Sequence, residues 1–122
     1  MKDGNSLNKG SAGEKVALEE LLKRGLVFLG SNVRIGHKEI DLIMESDDTL
    51  HIIEVKSLGG NSPADPFEKV DNRKRRLIAQ AAGHYVSLHN IGKEVQFDVV
   101  SVVQKGTEFE LEYLPNAFYP IY

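Results

Sequence analysis

The chain contains no cysteine, which excludes disulfides, thiolate-bound zinc, iron–sulfur clusters and cysteine nucleophiles, and suits a reducing compartment. Nowhere do apolar residues run for the roughly eighteen positions that cross a bilayer. Residues 1–10, MKDGNSLNKG, lack the apolar centre of a secretory signal, so a soluble cytoplasmic protein without membrane contact is expected. Cations are too few for a bulk coat on nucleic acid: 15 Lys and Arg stand against 18 Asp and Glu, a net charge of −3. Any binding to phosphates therefore needs a local patch. No Walker A loop, Rossmann glycine fingerprint or Gly-x-Ser-x-Gly elbow occurs, which leaves nucleotide hydrolysis, hydride transfer and serine esterase chemistry without a motif. His37, His51, His84 and His89 have no ligand spacing, so zinc is unsupported and they read as ordinary surface or core histidines.

What is present suits one α/β domain. A chain of 122 residues with 41% hydrophobic content buries one modest core, here expected over residues 11–122 behind a flexible N-terminus at 1–10. Ser11-Ala-Gly-Glu14 has the form of a capping box, and Val16, Ala17, Leu18, Leu21 and Leu22 recur at helical spacing, which predicts a helix over about 12–24. LVFLGSNVR, KEIDLIME and TLHIIEVKS then read as three strands. The Gly-, Pro- and Asn-rich LGGNSPADP marks a loop, and Asp71 is placed to cap a second helix. That helix turns Val70, Lys74, Leu77, Ile78, Ala81, Ala82, Tyr85 and Val86 to one side and ends before Asn90-Ile-Gly92. EVQFDVVSVVQK and FELEYL complete an order α-β-β-β-α-β-β. The helix crossover makes a mixed sheet of about five strands.

Chemistry concentrates on the second and third strands. Side chains alternate faces, so Glu39 and Asp41 share one face, as do Glu54 and Lys56. A hairpin centred between Asp47 and Asp48 sets Asp41 opposite Glu54 and Glu39 opposite Lys56. Like charges at such separations repel, and the flanking Ile40, Leu42, Ile43, Ile52, Ile53 and Val55 are expected to bury them. A hard cation such as Mg²⁺ or Mn²⁺ between Asp41 and Glu54 resolves the repulsion, with Lys56 beside it to offset charge on a phosphorane-like transition state. The same side chains also suit a structural ion-pair cluster of Asp41, Glu39 and Lys56. Asp98 is expected to be structural.

Asp41 followed by Glu54-Val55-Lys56, after a helix bearing Glu14, resembles the PD-(D/E)xK nuclease superfamily. Along nearly the whole chain the sequence is similar to the YraN family of bacterial proteins. The match runs through Gly10, Gly13-Glu14, Ala17, Gly25, Asn32, Arg34, Glu39-Ile40-Asp41-Leu42-Ile43, Glu54-Val55-Lys56, Lys74, Tyr85, Phe97-Asp98-Val99 and Asn116-Ala117-Phe118. That family looks like archaeal Holliday junction resolvases in its core. The resemblance implies a restriction-endonuclease-like three-layer fold, metal ligands at Asp41 and Glu54, catalytic Lys56 and an accessory carboxylate at Glu14. The sequence departs from the family pattern at Lys38, where Gly is usual, at Leu58, where a basic residue commonly follows, and at Gln96, where Arg is frequent.

Arg73, Lys74 and Arg76 open the second helix against its dipole, a placement that phosphate contact would rationalise, and with Arg34 they form the expected nucleic-acid-binding set. The expected function is metal-dependent hydrolysis of phosphodiester bonds in DNA, branched or damaged forms included, with a homodimer as an option. The alternative is a non-catalytic nucleic-acid-binding or protein-interaction module that uses the basic helix or the apolar tail Phe118–Tyr122.

Overall fold

Apolar positions at three- and four-residue spacing make the first helix amphipathic, and Ala17 and Leu21 on its inner stripe are fully buried. In the computed structural model, which describes residues 9–58 and 72–117, this helix is α1, Lys9–Lys23. It starts earlier than expected. A serine cap requires non-helical backbone, and Ser11 already lies inside the helix, so the capping-box reading of Ser11 and Glu14 does not hold. At the other end Gly25 takes φ 96°, and the Leu26 amide reaches back to the Leu21 carbonyl at 3.2 Å, closing the helix with a positive-φ glycine close to the expected end at 24.

Five strands follow the expected order. They are β1 (Val27–Ile35), β2 (Lys38–Glu45), β3 (Thr49–Leu58), β4 (Glu94–Lys105) and β5 (Glu108–Leu114), with helix α2 (Asn72–His89) between β3 and β4. The sheet order is β1-β2-β3-β4-β5. Three neighbours are antiparallel hairpins, whereas β3 and β4 are parallel from Thr49↔Glu94 to Leu58↔Val103. A parallel pair needs a crossover, and α2 supplies it. Asn90, φ 57°, directly follows the last residue of α2, with the Ile91 amide on the Val86 carbonyl at 3.0 Å. Left-handed backbone falls here on asparagine, one of the few residues other than glycine that tolerate it, rather than on the nearby Gly92. Asp71, Val70, most of the loop after β3 and the tail Phe118–Tyr122 lie outside the described residues.

The two helices cover opposite faces. Ile43, Leu50, Ile52, Phe97 and Val99 pack with Ile78, Ala81, Ala82 and Tyr85 of α2, while Leu42, Met44, Ile53, Val100 and Val102 pack with Ala17 and Leu21 of α1. Consecutive residues such as Ile52 and Ile53 thus enter different cores, which is the alternation of a strand buried on both sides. This is the α/β three-layer arrangement expected. Asp98, fully buried on β4, accepts hydrogen bonds from His51, Tyr113, Gln96 and the Asn116 amide, fastening the end of β5 to the sheet. Glu108, Glu110 and Glu112 stand exposed along β5, one of the two edge strands. Among the described residues no helix is long and apolar enough to cross a membrane.

Ile53, with no exposed surface, sits where β2, β3, β4 and α1 meet. Ile53→Ala is expected to lower stability by about 2–5 kcal/mol, because transfer and cavity terms add at a site closed on all sides. Urea unfolding with an unchanged m-value would measure it.

Candidate metal centre

The β2–β3 hairpin adopts the register expected of a turn centred between Asp47 and Asp48: Leu42↔Ile53, Ile43↔Ile52, Met44↔His51 and Glu45↔Leu50. Paired positions stop at Leu42↔Ile53. One residue further on, the Asp41 carboxylate Oδ2 takes the Val55 amide at 2.8 Å, so a side chain completes what the backbone ladder leaves off. Ordinary alternation also breaks at Asp41. Ile40 packs in the α2 core although Leu42, two residues on, packs in the α1 core. Across on β1 the pairing runs Ser31↔Leu42 and then Val33↔Ile40, with Asn32 between them at φ 50°.

Glu54 lies on β3 with only 3% of its surface exposed. Its Oε2 meets the Lys74 ammonium at 3.1 Å and the Lys38 ammonium at 3.4 Å. Its Oε1 is buried and accepts no hydrogen bond among the described residues. Burial and the charge of Glu54 push Asp41 up to about 7, with Glu14 adding to the effect and the Val55 amide and Lys38 opposing it. Glu14 is raised as well, by burial and by the charges of Glu39 and Glu54, against a hydrogen bond from Asn32. Glu14 reaches this place because α1 lies close on β3: a side chain at Gly13 would collide with Ser57.

Lys56 is pulled down to about 8 by burial and by Lys74 beside it, although Glu54 and Asp41 pull the other way. At neutral pH it is therefore mostly ammonium, as expected for a charge-stabilising role. Lys74 moves upward: burial opposes its charge, but Lys56, Glu54 and Asp41 together outweigh burial.

The structure thus brings together Glu14, Asp41, Glu54, Lys56 and Lys74. Arg73 and Arg76 are exposed on the first turns of α2, beside Lys74, and Arg34 is exposed on β1 opposite Glu39. Lys38 enters the site unanticipated. Its sequence signals are its departure from the family's usual Gly and its place at the start of the strand that carries Asp41. Asn32 was also missed as a partner of Glu14.

Among the described residues no three carboxylate or imidazole groups form a metal cage by themselves. The donors nevertheless fit a hard divalent ion, which binds through one or two carboxylates and keeps its remaining waters. Glu54 Oε1 is buried without a donor among the described residues, and Asp41 is raised to about 7 by burial first and by the charge of Glu54 second. A cation at this point would answer both.

Residues 13–102 match the profile of the Uncharacterised protein family UPF0102, and the chain belongs to that family. It is similar to a UPF0102 protein of Porphyromonas gingivalis, 38% identical over 97% of this chain and 87% of the relative. A UPF0102 protein of Bacteroides thetaiotaomicron is 34% identical over 98% of both chains. One from Persephonella marina is 37% identical over 90% of this chain and 92% of the relative.

The raised Asp41 has a measurable consequence. Between its unfolded value near 3.9 and about 7 the folded state holds more protons than the unfolded one, so stability falls as pH rises through that window. Asp41→Asn keeps an oxygen for the Val55 amide and removes the charge. In metal-free buffer the variant should melt at a higher temperature than the parent at pH 8, and the gap should shrink towards pH 5; scanning calorimetry at both pH values checks this.

Proposed function

We propose that this protein hydrolyses phosphodiester bonds in DNA, branched or damaged forms included, at a Mg²⁺ or Mn²⁺ held by Asp41 and Glu54. The observation that carries the reading is a nearly fully buried Glu54, one oxygen of which has no donor among the described residues, beside an Asp41 that burial and the charge of Glu54 raise to about 7. Carboxylates forced together in this way favour a cation. When bound, such an ion supplies Lewis acidity towards a phosphate oxygen and a water of lowered pKa.

The chain's own groups have separable tasks. Asp41 and Glu54 hold the ion, and the Val55 amide fixes the orientation of Asp41. Lys56 carries positive charge where negative charge grows on the phosphate during attack. Lys38 and Lys74 anchor Glu54 Oε2, which leaves Oε1 as its unsatisfied oxygen. Glu14 adds a third carboxylate at the edge of the site, supported by Asn32. Arg73 and Arg76 place cations at the amino end of α2, where helix dipole and side chains both attract phosphate. The choice of DNA rests on the likeness of the core to junction resolvases.

Calorimetric titration with Mn²⁺ should show one site whose affinity drops more than about tenfold in Asp41→Asn and in Glu54→Gln. Lys56→Ala should keep the ion but lose about 10²–10³ in cleavage of duplex, single-stranded or junction DNA. Unchanged affinity in both carboxylate variants would remove the metal site. Full DNA binding without turnover at either ion would leave the non-catalytic module.

Replacing both Arg73 and Arg76 with Ala should reduce the slope of log affinity against log salt by about two on duplex DNA, one for each phosphate no longer neutralised. Fluorescence anisotropy between 50 and 200 mM salt, concentrations over which such binding weakens strongly, measures the slope.

A further inference from the structure

A second set of reactive groups lies at the turn end of the β2–β3 hairpin. Ser46 is five residues from Asp41 along the chain, roughly 16 Å at the rise of a strand. Its Oγ stands 3.2 Å from His51 Nε2, and His51 Nδ1 stands 2.8 Å from Asp98 Oδ2. His51 and Asp98 are buried, whereas Ser46 lines an open cleft of about 560 Å³ together with Gly25, Val27, Glu45, Asp47, Asp48 and Lys93.

Hydrogen-bond bookkeeping fixes the protons. Burial alone would drive the Asp98 carboxyl towards its neutral form, but bonds from His51, Tyr113, Gln96 and the Asn116 amide more than reverse this and hold its pKa below the usual carboxylate value. An ionised carboxylate only accepts. His51 Nδ1 therefore carries a hydrogen and donates it. In neutral His51 the lone pair is then on Nε2, and the Ser46 hydroxyl must donate to it. A serine whose hydroxyl proton already points at an oriented imidazole is the arrangement that activates a nucleophile, and both distances fall in the range that proton transfer requires. The backbone of Ser46 is held on both sides, its amide on the Thr49 carbonyl at 2.9 Å and its carbonyl under the Lys93 ammonium at 2.8 Å. Lys93 thereby stands in the same cleft as the only described ammonium lining it.

We propose that Ser46 is an activated nucleophile, with His51 as its general base and Asp98 positioning the imidazole, and that this cleft hydrolyses small uncharged or cationic carboxylic esters. In the first step Ser46 Oγ bonds to the ester carbonyl carbon as its proton passes to His51 Nε2, and the nearest cation to the resulting oxyanion in the cleft is Lys93, which is also paired to Glu45 at 2.9 Å. Collapse breaks the carbon–alkoxy bond, and the alcohol leaves with the proton from His51. Water, deprotonated by the same imidazole, then attacks the acyl-serine and releases the carboxylic acid and Ser46. Glu45, Asp47 and Asp48 along the cleft disfavour anionic substrates. No Gly-x-Ser-x-Gly elbow announces the site in the sequence, because such constellations are defined by geometry rather than by chain order, and His51 and Asp98 meet only through the parallel pairing of β3 with β4.

The test is covalent labelling with an uncharged alkyl fluorophosphonate, in which Ser46 Oγ bonds to phosphorus, fluoride leaves and the hydroxyl proton goes to His51. Peptide mapping should find the label on Ser46. The rate should fall at least about 100-fold in Ser46→Ala and in His51→Gln, the loss expected for a nucleophile and its base. 4-Nitrophenyl acetate hydrolysis should fall in parallel. Ser46→Ala deletes only the hydroxyl of a half-buried residue, and an unchanged melting curve certifies its fold. Absence of label on the folded parent protein, or equal labelling of Ser46→Ala, overturns the proposal. Neither outcome bears on Asp41 and Glu54, which sit at the other end of the hairpin.

Discussion

The hydrogen bond from the Val55 amide to the Asp41 carboxylate sets the conditions for everything at this end of the sheet. It replaces a rung of the ladder with a side chain, and so denies Asp41 the escape that a surface carboxylate would take. Asp41 is kept next to Glu54, in a place where burial already penalises charge. The surrounding lysines answer that constraint: Lys38 and Lys74 on Glu54 Oε2, and Lys56 within the influence of both carboxylates. The groups do not respond alike: burial and the neighbouring Lys74 lower Lys56, whereas Lys74 moves upward with Glu54 and Asp41 among the causes. Burial and like charge thus oppose one another's demands here, and clusters of strongly shifted groups are commoner at functional sites than elsewhere, which is what the proposed reading draws on.

Much of this was legible in the chain because it depends on local rules. Apolar alternation located β2 and β3, and two adjacent aspartates located the turn. Together they fixed a register that the four observed pairs obey. Helical phase put Lys74 on the same side of α2 as Ile78 and Ala81, so its reach to Glu54 follows from the periodicity. What sequence could not supply depends on distant or irregular geometry. The break of alternation at Asp41 comes with a left-handed asparagine on the neighbouring strand, and no period predicts it. Lys38 reaches Glu54 across sixteen residues of chain, and only the fold decides which of several nearby lysines does so. The early start of α1 shows a capping pattern overruled by helix that continues before it.

His51 and Asp98 illustrate a limit of another sort. They are separated by 47 positions and joined by a parallel ladder whose existence the crossover implied but whose phase it did not. Asp98 was expected to be structural, and it does fasten β5 through Tyr113 and Asn116. The same carboxylate that holds a strand in place also dictates which imidazole nitrogen carries hydrogen. Architecture and proton placement here are two outcomes of one saturated acceptor.

The row of carboxylates along β5 bears on how such molecules behave in company. An outermost strand offers unpaired amides and carbonyls to any similar strand that approaches. Glu108 and Glu112, with Glu110 partly offset by its pair with Lys105, give that border negative charge, so two copies meeting through β5 repel as their backbones approach. Crowded solutions of this protein are thereby protected at one margin of the sheet against runaway ribbon growth, and the protection weakens as salt or acid neutralises the glutamates.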